Sequence, residues 1–246
     1  MLPEELINLT PRLLAAIVVG YLLGSIPFAY LVARLKGVDI FATGSRRAGT
    51  ANVFWHVGRY RGMLVFAGDV IKGSAAVVVA WMLGVPELMG VLAGSAAIAG
   101  HWKSIFTGFK GGDGMVVLVG VTVAYLSWFM LVGIAAGMVA VILFRRSPFR
   151  SSLGIIWSFA SLLAFNTLYG ADWAVMLSLT ALALVVITHN ILTHADHRPD
   201  TVLAIIDDDL LMDATPDILN EVARLNEDQI LNQIIPPDEK SGDAVC

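Results

Sequence analysis

The sequence predicts an all-α polytopic membrane protein of about seven transmembrane helices, followed by an acidic C-terminal tail. Three observations carry that expectation. Hydrophobic residues make up 57% of the 246-residue chain and charged residues only 15%, against roughly 25% charged in a soluble domain. The apolar residues gather between residues 12 and 190 in stretches with almost no charge, as in helices that cross a bilayer. The charge itself is divided, because residues 1–194 carry 13 Lys+Arg against 7 Asp+Glu while the last 52 residues carry 3 against 13. A formal net charge of −4 therefore hides a basic membrane part joined to an acidic tail, and neither half has the makeup of a nucleic-acid binder. The only cysteine is Cys246, which excludes an intrachain disulfide and a cysteine-based structural metal site.

At the N-terminus, Glu4 and Glu5 precede an apolar run of about 20 residues. A cleavable signal would need a basic segment there, so the N-terminus is expected to be retained. Apolar windows place spans near 13–34, 62–83, 87–106, 114–125, 127–144, 152–169 and 172–190. The fourth rises only about 18 Å at 1.5 Å per residue, short of a 30 Å hydrocarbon core; a single helix over 114–144 would reduce the count to six. Basic loops decide between the two. Lys36, Arg46, Arg47, Arg59 and Arg61 lie in 35–61, Lys103 and Lys110 in 103–113, and Arg145, Arg146 and Arg150 in 145–151, whereas the turns at 84–86, 125–127 and 170–171 hold no Lys or Arg. Seven spans put all three basic loops and the acidic tail in the cytoplasm and the N-terminus outside. A domain boundary is expected between 194 and 195. In the tail, Thr215 before Pro216 suits a helix start, and Ile218, Val222 and Leu225 recur at helical spacing, predicting an amphipathic helix near 216–233. The tail reads either as a solvated extension or as a docking site for a protein partner.

Polar groups beside lipid are costly unless they serve a purpose, and three clusters qualify. The loop Gly44-Ser45-Arg46-Arg47-Ala48-Gly49-Thr50-Ala51-Asn52 combines glycines, hydroxyl and amide donors and two arginines, a composition suited to a phosphate and also to a loop that merely sets orientation. Asp69 and Lys72 lie three apart in the second span, with Gly73 next to them; they share a helix face and form either a structural ion pair or a lysine that reaches phosphate. Gly100-His101 is followed by Phe109-Lys110-Gly111-Gly112-Asp113-Gly114 leading into the fourth span, a glycine turn at a helix start that favours an anion. It lacks the GxxxxGK[ST] order of a nucleotide-hydrolysing loop. Together the clusters predict a cytoplasmic-side active site joining a phosphorylated compound to a lipid-soluble one.

These motifs, with Gly24-Ser25-Ile26-Pro27-Phe28, Gly37-Val38-Asp39-Ile40, Asn52-Val53 and Gly58, resemble the bacterial acyl-phosphate:glycerol-3-phosphate acyltransferases of the PlsY type over about 180 residues. The resemblance implies a multi-pass enzyme of the bacterial inner membrane that needs no metal or cofactor. Its partners would be acyl phosphate, glycerol 3-phosphate and membrane lipid, its product lysophosphatidic acid. Ser45, Lys72 and His189 are implied as catalytic, and Gly44, Arg47, Gly49, Asn52, Asp69, His101, Lys110, Gly111 and Gly112 as phosphate- or substrate-binding. The chain departs from the pattern where Trp55 replaces an arginine, Asp113 a lysine and Arg47 an asparagine. A carboxylate facing phosphate is repelled, so Arg46 or Arg47, and Arg47 before Arg46, is expected to supply the charge that Trp55 and Asp113 no longer supply. The alternative is a non-catalytic or altered-specificity member that binds a phosphorylated lipid or a partner.

Overall fold

The expected span at 13–34 is broken at Ile26 and Pro27, giving α1 (Pro3–Ser25) and α2 (Phe28–Arg34) in a computed structural model of the chain. Proline has no N–H to continue the ladder and its ring blocks the preceding turn. The helix restarts at once, with Leu31 N bonded to the Pro27 carbonyl at 3.0 Å. The structure describes residues 3–126, 130–145, 147, 149–169 and 172–195. Among them the chain is helical without a strand. The segment expected to be a basic loop contains α3 (Thr50–His56), and α4 (Arg59–Met82) begins three residues before the expected 62. Gly58, at φ 139°, makes the turn between the two. Next come α5 (Glu87–Trp102), a 3₁₀ turn at Ile105–Thr107, α6 (Met115–Leu126), α7 (Met130–Leu143), α8 (Arg150–Tyr169) and α9 (Trp173–Ala195).

Among the described residues, three helical segments are long and apolar enough to cross a membrane: Ile7–Arg34, Arg59–Met82 and Trp173–Thr193. Met115–Tyr125 and Val132–Leu143 are shorter apolar helices. The expected boundary after residue 194 falls at the last residues of α9, and the helix expected near 216–233 lies outside the described residues.

Packing follows from where the chain is small. Helix α1 lies against α5 and α4, α4 against α6, and α7 against α8. A Cβ on Gly20 or Gly24 would run into the carbonyls of Ala93 and Ala97, and one on Gly73 or Gly120 into those of Val117 and Val70. Small residues spaced by four thus let backbones approach closely, the packing available where lipid offers no hydrophobic drive. The largest apolar cluster, including Ile98, Val117, Leu118, Leu162, Leu179 and Val186, fills the space among α5, α6, α8 and α9. On α4 the two sides differ within one step: Ile71 is 64% exposed while Lys72 is 3% exposed. That helix turns an aliphatic residue outward and its charge inward, as a lipid-facing helix must.

Candidate active site

At the α1–α2 break the Ile26 carbonyl accepts from Phe28 N at 3.2 Å, and Lys72 adds a second donor, its Nζ at 3.0 Å. The same ammonium lies 2.7 Å from Asp69 Oδ1 and 2.9 Å from His101 Nδ1. Lys72 and Asp69 are buried and so is His101, so this network binds α4, α5 and the break together; both partners of the ion pair are present, which removes the main cost of burying either charge. With Lys72 donating, His101 Nδ1 accepts, and the other ring nitrogen faces Gly112, where a Cβ would lie 2.5 Å away.

Two loops stand over that network. In the first, Asp39 accepts from Phe41 N at 3.0 Å, and Gly44 and Arg46 take left-handed φ values of 53° and 55°. Asn52 Nδ2 donates to the carbonyls of Ile40, Thr43 and Arg47 at 3.2, 2.9 and 2.9 Å. Any side chain at Gly44 would strike Asn52 and His56, so the glycine and the buried amide are needed together. The second loop leaves α5 at Lys103, whose carbonyl accepts from Tyr21 Oη at 2.8 Å. Ser104 Oγ donates to the Ser25 carbonyl at 2.6 Å, Phe109 N bonds the Ser104 carbonyl at 2.8 Å, and the Thr107 hydroxyl donates to the Lys110 carbonyl. Gly112 N donates to the His101 carbonyl at 3.1 Å. A Cβ on Gly111 would collide with the His101 and Trp102 carbonyls, and one on Gly112 with the Ala48 carbonyl. The glycine pair is therefore what lets this turn lie flat between the end of α5 and the first loop.

The loops are joined to each other twice. Ala48 N donates to the Gly111 carbonyl at 3.1 Å, and Arg47 Nη1 meets Asp113 Oδ1 at 2.5 Å. Asp113 therefore faces Arg47 rather than an open phosphate site. The two departures at 47 and 113 neutralise one another, and the expectation that Arg47 replaces a missing phosphate cation is corrected to that extent. Its Nη2 is buried without a hydrogen-bond partner.

Between the loops, α5 and α9 opens a cavity of about 390 Å³. Arg46, Arg47, Lys103, Lys110, Gly111 and Gly112 line it together with Phe41, Phe109, Trp102, His189 and Thr193. Trp102 donates Nε1–H to the Asp113 carbonyl at 3.0 Å and stacks on His189 with ring centroids 4.0 Å apart; His189 Nδ1 has no partner. Lys110 Nζ lies 5.8 Å above the Phe41 ring.

Of the residues singled out from the sequence, Arg47, Lys110, Gly111, Gly112 and His189 line this cavity. Asp69, Lys72 and His101 form the buried network behind the glycine turn. Ser45 is exposed, and it, Gly44, Gly49 and Asn52 lie in the first loop and its helical continuation rather than in the lining. Ser152 Oγ donates to Asn190 Oδ1 at 3.1 Å, joining α8 to α9. Trp102, Lys103 and Thr193 were not singled out. A signal existed for Trp102 and Lys103, which directly follow His101; Thr193 lies one helical turn beyond His189.

The family model described as glycerol-3-phosphate acyltransferase matches residues 14–195. A glycerol-3-phosphate acyltransferase of Thermosipho melanesiensis is 35% identical over 170 residues, covering 69% of this chain and 82% of that protein. One of Endomicrobium trichonymphae is 34% identical over 172 residues, covering 70% and 84%. The crystal structure of PlsY, an integral membrane glycerol 3-phosphate acyltransferase, in its glycerol 3-phosphate form is 28% identical, covers 79% of this chain and 98% of that one, and superposes with a TM-score of 0.62. The chain belongs to the glycerol-3-phosphate acyltransferase family.

Proposed function

We propose that this protein moves an acyl chain from acyl phosphate to a hydroxyl of glycerol 3-phosphate, releasing inorganic phosphate and lysophosphatidic acid. It is a membrane glycerol-3-phosphate acyltransferase of phospholipid synthesis. The observation that carries the reaction is the cavity, where Arg46, Lys103, Lys110 and a glycine turn gather at the helix ends of a chain with apolar outer faces. A charged acceptor and a donor with a long hydrocarbon tail meet best at such a boundary.

The acyl phosphate is already activated, so the acceptor oxygen attacks its carbonyl carbon directly. The bond from that carbon to the phosphate oxygen breaks, phosphate leaves with the electron pair, and the acceptor proton passes to a phosphate oxygen of a substrate. The protein supplies position and charge. Lys110 and the Gly111-Gly112 turn hold phosphate; His189, with Nδ1 unpartnered in the lining, donates to the reacting groups. Ser45, Gly44 and Gly49 shape the rim of the first loop and Asn52 clamps it. Asp69, Lys72 and His101 keep the glycine turn against the helix break. In this reading the chain has seven spans in the bacterial inner membrane, with the N-terminus outside, the site on the cytoplasmic side, and residues 195–246 forming an acidic cytoplasmic domain open to a protein partner.

Purified protein given acyl phosphate and glycerol 3-phosphate is expected to form lysophosphatidic acid, and its absence overturns the reading in favour of a non-catalytic binder. Lys110→Ala is expected to raise the KM for glycerol 3-phosphate by about 10- to 100-fold, the loss of one charge-assisted contact to phosphate. A kinetically silent variant removes Lys110 from the site.

A further inference from the structure

Charge accounting around the cavity separates its cations into two kinds. Arg47 is neutralised by Asp113 at 2.5 Å. Lys72 is neutralised by Asp69 and lies outside the lining. Among the described residues, no acidic side chain lies within ion-pair distance of Arg46, Lys103 or Lys110, all three of which line the cavity. A phosphate monoester carries close to two negative charges at neutral pH, and bringing it out of water requires that those charges be met.

We propose that Lys103 is a phosphate-binding residue of this cavity, taking the place in the charge balance that Arg47 gives up to Asp113. The inference rests on the acyltransferase reading above and deepens it by naming a residue that recognises the acceptor's phosphate. Lys103 is placed for that task by its backbone. It follows α5 directly, its N–H bonds the Ala99 carbonyl at 2.9 Å and its carbonyl is held by Tyr21 of α1. The Cα is thus fixed between two helices while the ammonium stays free on a flexible stem. Its neighbour Trp102 is fixed as well, by the Asp113 carbonyl and the His189 ring, so the wall on which Lys103 sits is rigid. The same Asp113 that removes Arg47 from the phosphate count also anchors this wall through its carbonyl.

The test uses the full-length protein in detergent. Lys103→Met is expected to raise the KM for glycerol 3-phosphate about tenfold while kcat stays within about threefold, the signature of lost binding rather than lost chemistry. Lys103→Arg should stay within about threefold of the parent, because the charge is kept. Lys36→Met, an exposed lysine outside the cavity lining, controls for general attraction of anions and should be silent. Inorganic phosphate titrated into each protein by calorimetry should bind about tenfold more weakly to Lys103→Met. An unchanged KM and unchanged phosphate affinity in Lys103→Met overturn the proposal, as does an equal shift in Lys36→Met or a parent that binds no phosphate. A parent that binds phosphate but makes no lysophosphatidic acid defeats the acyltransferase reading alone, and the calorimetry then decides for Lys103 by itself.

Discussion

Asp69→Ala is expected to destabilise the protein by about 3–5 kcal/mol, because it strands a buried ammonium without its counter-charge. The side chains of Asp69 and Lys72 are each 2% exposed, so water cannot take over. For a domain of this size the unfolding midpoint should fall by roughly 6–20 °C, read by thermal unfolding in detergent. The companion variant makes the test specific. Replacing both residues, as Asp69→Ala with Lys72→Met, removes the stranded charge and should recover part of the loss. Recovery stays incomplete, since the Ile26 carbonyl keeps Phe28 N but loses the Lys72 hydrogen bond, worth about 0.5–1.5 kcal/mol net. Equal midpoints for the parent and Asp69→Ala would show that the network is not what holds the helix break.

Asp113→Lys is expected to weaken glycerol 3-phosphate binding, although it adds a cation to a phosphate site. The new ammonium would face Arg47, and the loop crossing would be replaced by repulsion. Asp113→Ala should cost about 2–3 kcal/mol, the lower end for truncating one partner of a hydrogen-bonded charge pair, because the Asp113 side chain is 25% exposed while that of Arg47 is 10% exposed. Lost loop registry also moves the Gly111-Gly112 turn, so the KM for glycerol 3-phosphate rises with it. The exchange Arg47→Asp with Asp113→Arg retains one charge of each sign across the same gap and should restore most of the loss in a double-mutant cycle. Tighter phosphate binding by Asp113→Lys, or an exchange no better than the single variants, would show that the pair does not set the site.

The helices were legible because lipid imposes a local rule: long apolar stretches with basic loops between them. Asp69 and Lys72 were legible because three residues along a helix make one face. Lys110, Gly111 and Gly112 were legible from a compact run of unusual residue types. Arg47 and Asp113 were each visible, but their contact spans 66 positions and depends on two loops meeting, which no periodicity encodes. Each was therefore read against a phosphate when its partner was the other. Trp102 and Lys103 were hidden by a different cause. An aromatic and a lysine at the end of an apolar helix suit a membrane boundary anywhere, and only the convergence of α5 with α9 turns them into a cavity wall. Pro27 did carry the signal for the broken first span, since a proline after 14 residues of an otherwise apolar run interrupts a helix.

The break at Ile26 also sets an order of events at the ribosome. Its carbonyl is completed by a side chain 46 positions later, and the Gly20 and Gly24 face of α1 is covered only by Ala93 and Ala97. At about 5–20 residues per second, Lys72 follows Ile26 by about 2–9 s and Ala97 follows Gly24 by about 4–15 s. Helix α1 is thus made before every partner that completes it: it waits in lipid with a bare glycine groove until α4 and then α5 are synthesised. Photo-crosslinkers at Leu23, whose side chain packs against the cluster holding Ala97 and Ile98, in nascent chains stalled before residue 87 should capture lipid, and those stalled well beyond residue 102 should capture α5. Capture of α5 delayed until the whole chain is released would mean that the groove closes only in a final, global step.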